Sequence, residues 1–595
     1  MKKKVAAGLC GLFAVVLLSD SSEAAAPVIR AQPQAAAVTT GQQVQFTVAY
    51  ASSCGAVREQ WQFLGVNVSN GTTYSGTTTD TLTVNATATQ AGSYRVVLTC
   101  RDSSGGTISN AANLTVTATG TATTLPPMIG TLAWSNCSTR GNRCSISWSS
   151  PNGAVIAGRL TITPMGGAPV DVTGLTGTVV TPTRSTIYTL TASNAAGSYS
   201  RNVLVPVGGY TATIRSCGAI TQPGRYLIAS SIRSTSPSAA CLDVKNTTNV
   251  YIDCSPGVTI SGLGGGPVSP GSLTTSGAIN FTNVHGFAVR GCRVAMSAQP
   301  NGWYFTSFIN SSMGYVFDTT LGSPTLNSMQ SAQAYQSNYI TFASDTIYNG
   351  IELHDNSTGL SIAGCTITNT NRVVGAYTPA NVFEWGGGAS GTTVIDSTLD
   401  GGATAPGIGA DDGIVGDSLS NELYAYNVLK NYWDAGIELT SQSNSITIHK
   451  NTLVNAGFGA IDFNRKGTLR DSIVSWNTID MSGNFQPAGG HAYGLYFLVY
   501  APAGATLYFQ NNSFNNNVII NGMYSVATQF ITAAAAGGTW VVGDNVFFDN
   551  NFNSNNVAGI EAPAFTTPYL AGIAIDQGGN VCAHPNPPNY PLVCH

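Results

Sequence analysis

The chain has 595 residues, too many for a single hydrophobic core, which rarely grows beyond roughly 250–300 residues before a chain splits into domains or repeats. Only 9% of its residues are charged and the net charge is -4, which excludes the basic footprint that binding to nucleic acid or anionic lipid needs. The 67 glycines, with abundant Asn, Ser and Thr, favour short strands joined by tight turns, and no long amphipathic helix is visible, so the expected fold class is all-β.

Residues Met1 to Lys4 are basic, Val5 to Leu18 are apolar and Ala24 to Ala26 are small, the pattern of a Sec-type signal peptide over residues 1–26. Cys10 follows Leu9 inside the apolar run, which argues against a lipid anchor. No later stretch is apolar for long enough to cross a bilayer. The expected location is secreted or cell-surface, with no transmembrane segment. In that oxidising compartment disulfides persist. Proximity and stacking pair Cys54 with Cys100, Cys137 with Cys144, Cys217 with Cys241, Cys254 with Cys292 and Cys582 with Cys594, leaving Cys365 as the odd thiol.

Residues 27–118 alternate apolar and polar positions, as in Gln43-Val44-Gln45-Phe46-Thr47-Val48, and predict a β-sandwich. Trp61 and the segment Ala91-Gly92-Ser93-Tyr94 resemble the buried tryptophan and tyrosine corner of bacterial Ig-like domains. Val96 stands where the second family cysteine is expected, so Cys100 does not inherit the usual inter-sheet bridge. After a Thr- and Pro-rich linker, residues 124–209 form a second sandwich similar to the same modules. The expectation for both is a spacer.

From Tyr210 to the end, residues 210–595, the texture becomes a repeat. A turn and strand recur as Asn349-Gly350-Ile351-Glu352-Leu353, Ala435-Gly436-Ile437-Glu438-Leu439 and Gly459-Ala460-Ile461-Asp462-Phe463, and a second strand runs into Asn427, Asn451 and Asn477. This spacing fits one coil of a right-handed parallel β-helix, with the asparagines stacked as structural ladders. Cys217-Gly218-Ala219-Ile220 and Pro223-Gly224-Arg225-Tyr226-Leu227, running on to Val250-Tyr251-Ile252-Asp253-Cys254, resemble the opening of bacterial members of the pectin-lyase-like superfamily. The resemblance implies the fold better than any activity.

In Gly-Ile-Glu-Leu the Ile and Leu point inward, so the residue between them points out. With Phe383-Glu384-Trp385 taken as the matching strand, the outward column reads Glu352, Glu384, Val415, Glu438 and Asp462. Its neighbour reads His354, Gly386, Asp417, Thr440 and Asn464. Asp411, Asp412 and Asp434 fall at the turn into this strand, and Arg465 and Lys466 follow it. Of the 28 acids, 13 lie between residues 345 and 462. Stacked like charges repel, so such a ladder implies a cation, shared protons or catalysis.

The candidate catalytic residues are Glu352, Glu384, Asp411, Asp412, Asp417 and Glu438; His354, Trp385, Trp433, Asp462, Arg465 and Lys466 are candidates for binding substrate. Three chemistries fit. One is glycoside hydrolysis by paired carboxylates. Another is a polysaccharide lyase with Ca²⁺ held by the acids and Lys450, Arg465 or Lys466 as base. The third is a non-catalytic glycan-binding adhesin using aromatics such as Trp303, Tyr304, Trp385, Tyr432, Trp433 and Tyr496. Asp411-Asp412-Gly413 resembles the paired-aspartate strand of polygalacturonases, but their Gly-His-Gly and Arg-Ile-Lys motifs are missing, so that activity is not carried over. The expected partner is an extracellular polysaccharide. Catalysis on the outward column requires Glu352, Glu384, Glu438 and Asp417 to share one solvent-facing groove.

Overall fold

The computed structural model describes residues 26–582 apart from a set of loop segments, the longest being 264–275, 297–304, 371–379, 483–492 and 562–574. The signal peptide, Trp303, Tyr304 and the Cys582–Cys594 pair lie outside the described residues. Among the described residues every element longer than a turn is a strand, and no helix is long and apolar enough to cross a membrane. The chain divides into a compact unit ending at Gly120 and a second beginning at Thr121.

The first unit is an Ig-like sandwich. Trp61 is fully buried and donates from Nε1 to Thr79 O at 2.8 Å, while the Tyr94 hydroxyl donates to Gln90 O at 2.8 Å. Both large rings thus bury their apolar bodies with the polar tip satisfied. Cys54 bonds to Cys100.

The second unit opens with another Ig-like sandwich and continues into a solenoid. Among the described residues the solenoid strands pair in parallel in two sheets, one of 26 strands and one of 13. The larger sheet wraps two faces because each coil contributes two successive strands to it. One coil illustrates the path: Ala435–Asn444, a bend, Thr447–His449, a second bend, Thr452–Ala456, then a turn into Gly459–Arg470. The inward column of the smaller sheet runs without a break through Ile260, Val294, Leu321, Ile347, Ile367, Leu399, Leu429, Leu453, Ile479 and Ile519. Burial of each such side chain contributes roughly 1.5–3 kcal/mol.

Glycine recurs at the turn into the first strand because the coils approach closely there. A Cβ on Gly413 would lie 2.3 Å from Gly436 O, and one on Gly436 would lie 2.7 Å from Ala460 O. At the bend between the second and third strands, Asn427, Asn451, Asn477, Asn517, Asn550 and Asn580 form a buried ladder. Each Nδ2 from Asn427 to Asn550 donates to the Oδ1 one coil on, at 2.9–3.0 Å, and the backbone N–H donates to the same oxygen. Ser397 continues the ladder backward to Cys365, which is buried and free. Asn451→Ala strands the Asn427 N–H and the Tyr424 carbonyl that Asn451 serves. The expected loss is about 3 kcal/mol, read as a lowered midpoint in urea unfolding.

Cys137–Cys144, Cys217–Cys241 and Cys254–Cys292 are bonded as expected. The second sandwich departs from the spacer reading, because it lies against the flank of the solenoid. Ile187 and Leu204 pack on Tyr251, Ala288 and Tyr315, and Met128 packs on Ile395 and Ala425. The Arg290 guanidinium sits over the Trp134 ring at 4.5 Å. Arg201 is 4% exposed in this sandwich, with Nη1 donating to Gly130 O.

Candidate functional site

The pairing of the first strands settles which side chains share a column. Glu352 is level with Phe383, not Glu384, and the column continues through Val415, Glu438, Asp462 and Tyr496. The neighbouring column has Trp385 beside His354, where Gly386 was expected. The alignment of Phe383-Glu384-Trp385 was one residue out, and a slip of one residue moves every side chain to the other face.

Glu384 accordingly faces the interior, level with core residue Leu353 on one side and with Gly416 on the other. It is 1% exposed and accepts from Thr392 Oγ1 at 3.1 Å and from the Tyr424 hydroxyl at 3.4 Å. Burial pushes its carboxyl up to about 7, against the pull of those two hydroxyls. Glu422, one coil on, is 1% exposed and is also pushed well up, by burial and then by the Glu384 charge. Glu422 follows a left-handed residue, Asn421, just as Ser472 and Asn512 follow Asp471 and Asn511. It therefore occupies the inward bend position that Ser and Asn fill in later coils. This internal acid pair was not anticipated; the signal for it was an acid directly after the bend residue Asn421.

The outward column is not an open groove. Glu352 is fully buried, Asp462 is 1% exposed and Glu438 9%. Phe383 and Val415 pack with Ala380 and divide the column into two acidic parts. Glu352 and Glu438 are three strand spacings apart, roughly 14 Å, beyond the ~9.5 Å limit for a catalytic carboxylate pair. The requirement that Glu352, Glu384, Glu438 and Asp417 share one solvent-facing groove is not met. In the first part, His354 Nε2 lies 2.7 Å from Glu352 Oε1, off the line of a hydrogen bond, and both side chains are buried. Asp417, half-buried, accepts from Ser418 Oγ at 3.1 Å.

The second part does converge. Asp411, Asp412 and Asp434 place one carboxylate oxygen each within 4.8 Å of one another. Asp411 and Asp412 precede one first strand, and Asp434 precedes the next, so the turn into successive coils stacks them. Asp434 N donates to Asp411 O at 3.0 Å, and Ala435 N donates to Asp412 Oδ1 at 3.0 Å. Asp412 is 4% exposed. Burial first, then the charges of Glu438, Asp411 and Asp434, push its carboxyl well above the usual range. Asp411, Asp434 and Trp433 are half-buried, so solvent meets the cluster on that side. Tyr493 and Tyr496 stack at 4.8 Å with Phe458 edge-on to both, beside Asp462 along the column.

Three carboxylates at this spacing also fit a divalent cation, since oxygens on opposite sides of Ca²⁺ are about 4.8 Å apart at ~2.4 Å per bond. Lys450 is not available as a base here. It sits at the bend between second and third strands, with its ammonium 5.4 Å from the Tyr426 ring and 6.0 Å from the Trp476 ring. Beside it, burial and then the Lys450 charge hold His449 down at about 3, so its imidazole is neutral. Tyr432 is fully buried and donates to Asn381 Oδ1 at 2.7 Å, which removes it from the candidate sugar platforms. The side chains of Trp385, Arg465 and Lys466 lie outside the described residues.

No family model matches this sequence, and no curated protein matches it. Among solved structures it is similar to titin M4, with 25% identity over 16% of this chain and 98% of that one, at a TM-score of 0.14. It is also similar to the three-domain titin fragment I67–I69, with 17% identity over 30% and 65% of the two chains and a TM-score of 0.16. A third is Sidekick-1 immunoglobulin domains 1–5, with 17% identity over 34% and 44% and a TM-score of 0.18. All are immunoglobulin-domain proteins. On its own strand pairing and buried Trp61 and Tyr94, the chain is an all-β protein with Ig-like sandwiches and large parallel sheets stacked as a solenoid.

Proposed function

We propose that the protein is an exported member of the pectin-lyase-like superfamily that binds and cleaves an extracellular polysaccharide at Asp411, Asp412 and Asp434, with Glu438 beside them. The observation that carries this reading is the convergence of three carboxyl groups from successive coils, one of them pushed toward its protonated form, next to the half-exposed Trp433. Asp412 acts as the general acid toward the leaving oxygen, and Asp411 or Asp434 acts as its carboxylate partner. One oxygen from each carboxyl group lies within 4.8 Å of the others, closer than the ~6.5–9.5 Å separation of inverting glycosidases and nearer to the ~5–5.5 Å of retaining ones. Hydrolysis with retention is therefore the expected outcome. Trp433 offers a ring face for a sugar to stack on.

The same span supports a second reading, a lyase in which Ca²⁺ held by the three aspartates binds a substrate carboxylate. One experiment separates the two. The mature protein is incubated with acidic and neutral polysaccharides, in Ca²⁺ or in chelator, while new reducing ends and ultraviolet absorbance of unsaturated uronate are followed. Reducing ends alone, unaffected by chelator, support the hydrolase. Both signals, abolished by chelator, support the lyase. Retention of a polysaccharide with neither signal would overturn cleavage and leave a glycan-binding surface protein.

A further inference from the structure

The seam between the second sandwich and the solenoid opens into a cleft of about 300 Å³, remote in the sequence from the aspartate cluster. Its sandwich wall carries Arg184 with Met165 and Leu204, and its solenoid wall carries Asn249 and His285. Such a volume lies at the lower end of the ~300–1,000 Å³ typical of ligand pockets, which favour domain junctions. We propose that this cleft is a second carbohydrate-binding site, for a sugar unit bearing a single carboxylate.

The charge of the walls decides the class of ligand. No acidic residue lines the cleft, and Arg184 takes part in none of the ion pairs among the described residues. The backbone beneath Arg184 is held in place: Thr186 Oγ1 donates to Arg184 O at 2.7 Å, and Val207 N donates to Ser185 Oγ at 3.0 Å. His285 Nδ1 is engaged with Ser312 Oγ at 2.9 Å. That contact orients the ring and leaves Nε2 as the nitrogen for a ligand. Asn249 sits in the left-handed region at φ 55° and its Oδ1 accepts from the Tyr251 hydroxyl at 3.4 Å.

One guanidinium pairs a carboxylate in two parallel hydrogen bonds, whereas a phosphate dianion would leave a charge uncompensated. Met165, exposed at the cleft, provides apolar surface for the C–H face of a sugar ring. The inference rests on the proposed function only for the polymer that would carry the sugar, and names its class as a polyuronate. Binding itself rests on the cleft.

The test is calorimetric titration of the mature chain with short oligomers of D-galacturonate and of D-glucuronate, with glucose oligomers and inorganic phosphate as controls. One oligouronate is expected to bind, and Arg184→Ala is expected to weaken it about tenfold or more. His285→Ala should weaken it less. Arg184 is exposed, so its variant should keep the wild-type melting temperature. The proposal is overturned if neither oligouronate binds, if Arg184→Ala binds as tightly as wild type, or if phosphate or glucose oligomers bind equally well. Loss of this binding in Arg184→Ala with polysaccharide cleavage intact bears on the cleft alone, so the two readings fail separately.

Discussion

Replacing Asp412 by Asn is expected to lower polysaccharide cleavage by about 10²–10⁴-fold while raising the melting temperature at neutral pH. The two effects share one cause. Asp412 is buried among the charges of Glu438, Asp411 and Asp434, which raise the cost of its ionised form. A carboxyl held in this way keeps a proton to donate, which is what a general acid needs. The amide has nearly the same shape, still accepts from Ala435 N through Oδ1, and cannot be charged. It therefore removes the acid and, with it, the cost of taking up a proton at neutral pH that folding imposes on Asp412. Initial rates of reducing-end release and a melting curve on the same preparation check the prediction. A fall in rate of less than about tenfold, with the thermal gain present, would make Asp412 a structural acid and move the chemistry elsewhere.

Glu384 is expected to give the protein a stability that declines from mildly acidic to neutral pH. Burial pushes its folded carboxyl up to about 7, against 4.5 for the ordinary group. Between those values the folded chain binds more protons than the unfolded chain, so stability falls as pH rises. The penalty is absent below about pH 4.5 and complete above about pH 7. A shift of this size corresponds to about 3 kcal/mol. Glu422 is displaced in the same direction and adds to the slope. Glu384→Gln keeps an acceptor for Thr392 and has no charge to bury, so its unfolding free energy should be higher than wild type at pH 8 and nearly equal to it at pH 4.5. Urea unfolding of both proteins at the two pH values measures this directly. Parallel pH profiles for variant and wild type would mean that Glu384 is not the group responsible.

The all-β class, the Ig-like sandwich, the parallel coils and the asparagine ladder were legible in the sequence because each follows from a short period. Gly-Ile-Glu-Leu and its relatives alternate with period two, and Asn427, Asn451 and Asn477 recur one coil apart. The register of Val382-Phe383-Glu384-Trp385 was not legible. Apolar residues stand at both parities there, so alternation does not say which face is inward, and the long segment before it hides the phase. Burial of the outward column was equally hidden, since a period identifies a face and not what covers it. Asp411, Asp412 and Asp434 were recognised as a group at the turn. Their separation from Glu352 became apparent only when Phe383 and Val415 were seen to fill the column between the two acidic parts. The docking of the second sandwich had only a faint signal, the adjacent apolar pair Ile187-Tyr188 in an otherwise alternating strand.

That docking changes how the solenoid comes apart. Repeats that touch only their neighbours open one at a time from an end, each with its own small free energy. Here the sandwich bridges one face from Tyr251 through Ala288 and Tyr315 to Ile395 and Ala425, coupling coils that do not touch each other. Fraying of any one of them must break contacts that the others share. The coils under the sandwich should therefore exchange their amide hydrogens as one slow cooperative block. Those beyond Asn451, which lack the bridge, should open in graded steps toward the C-terminus.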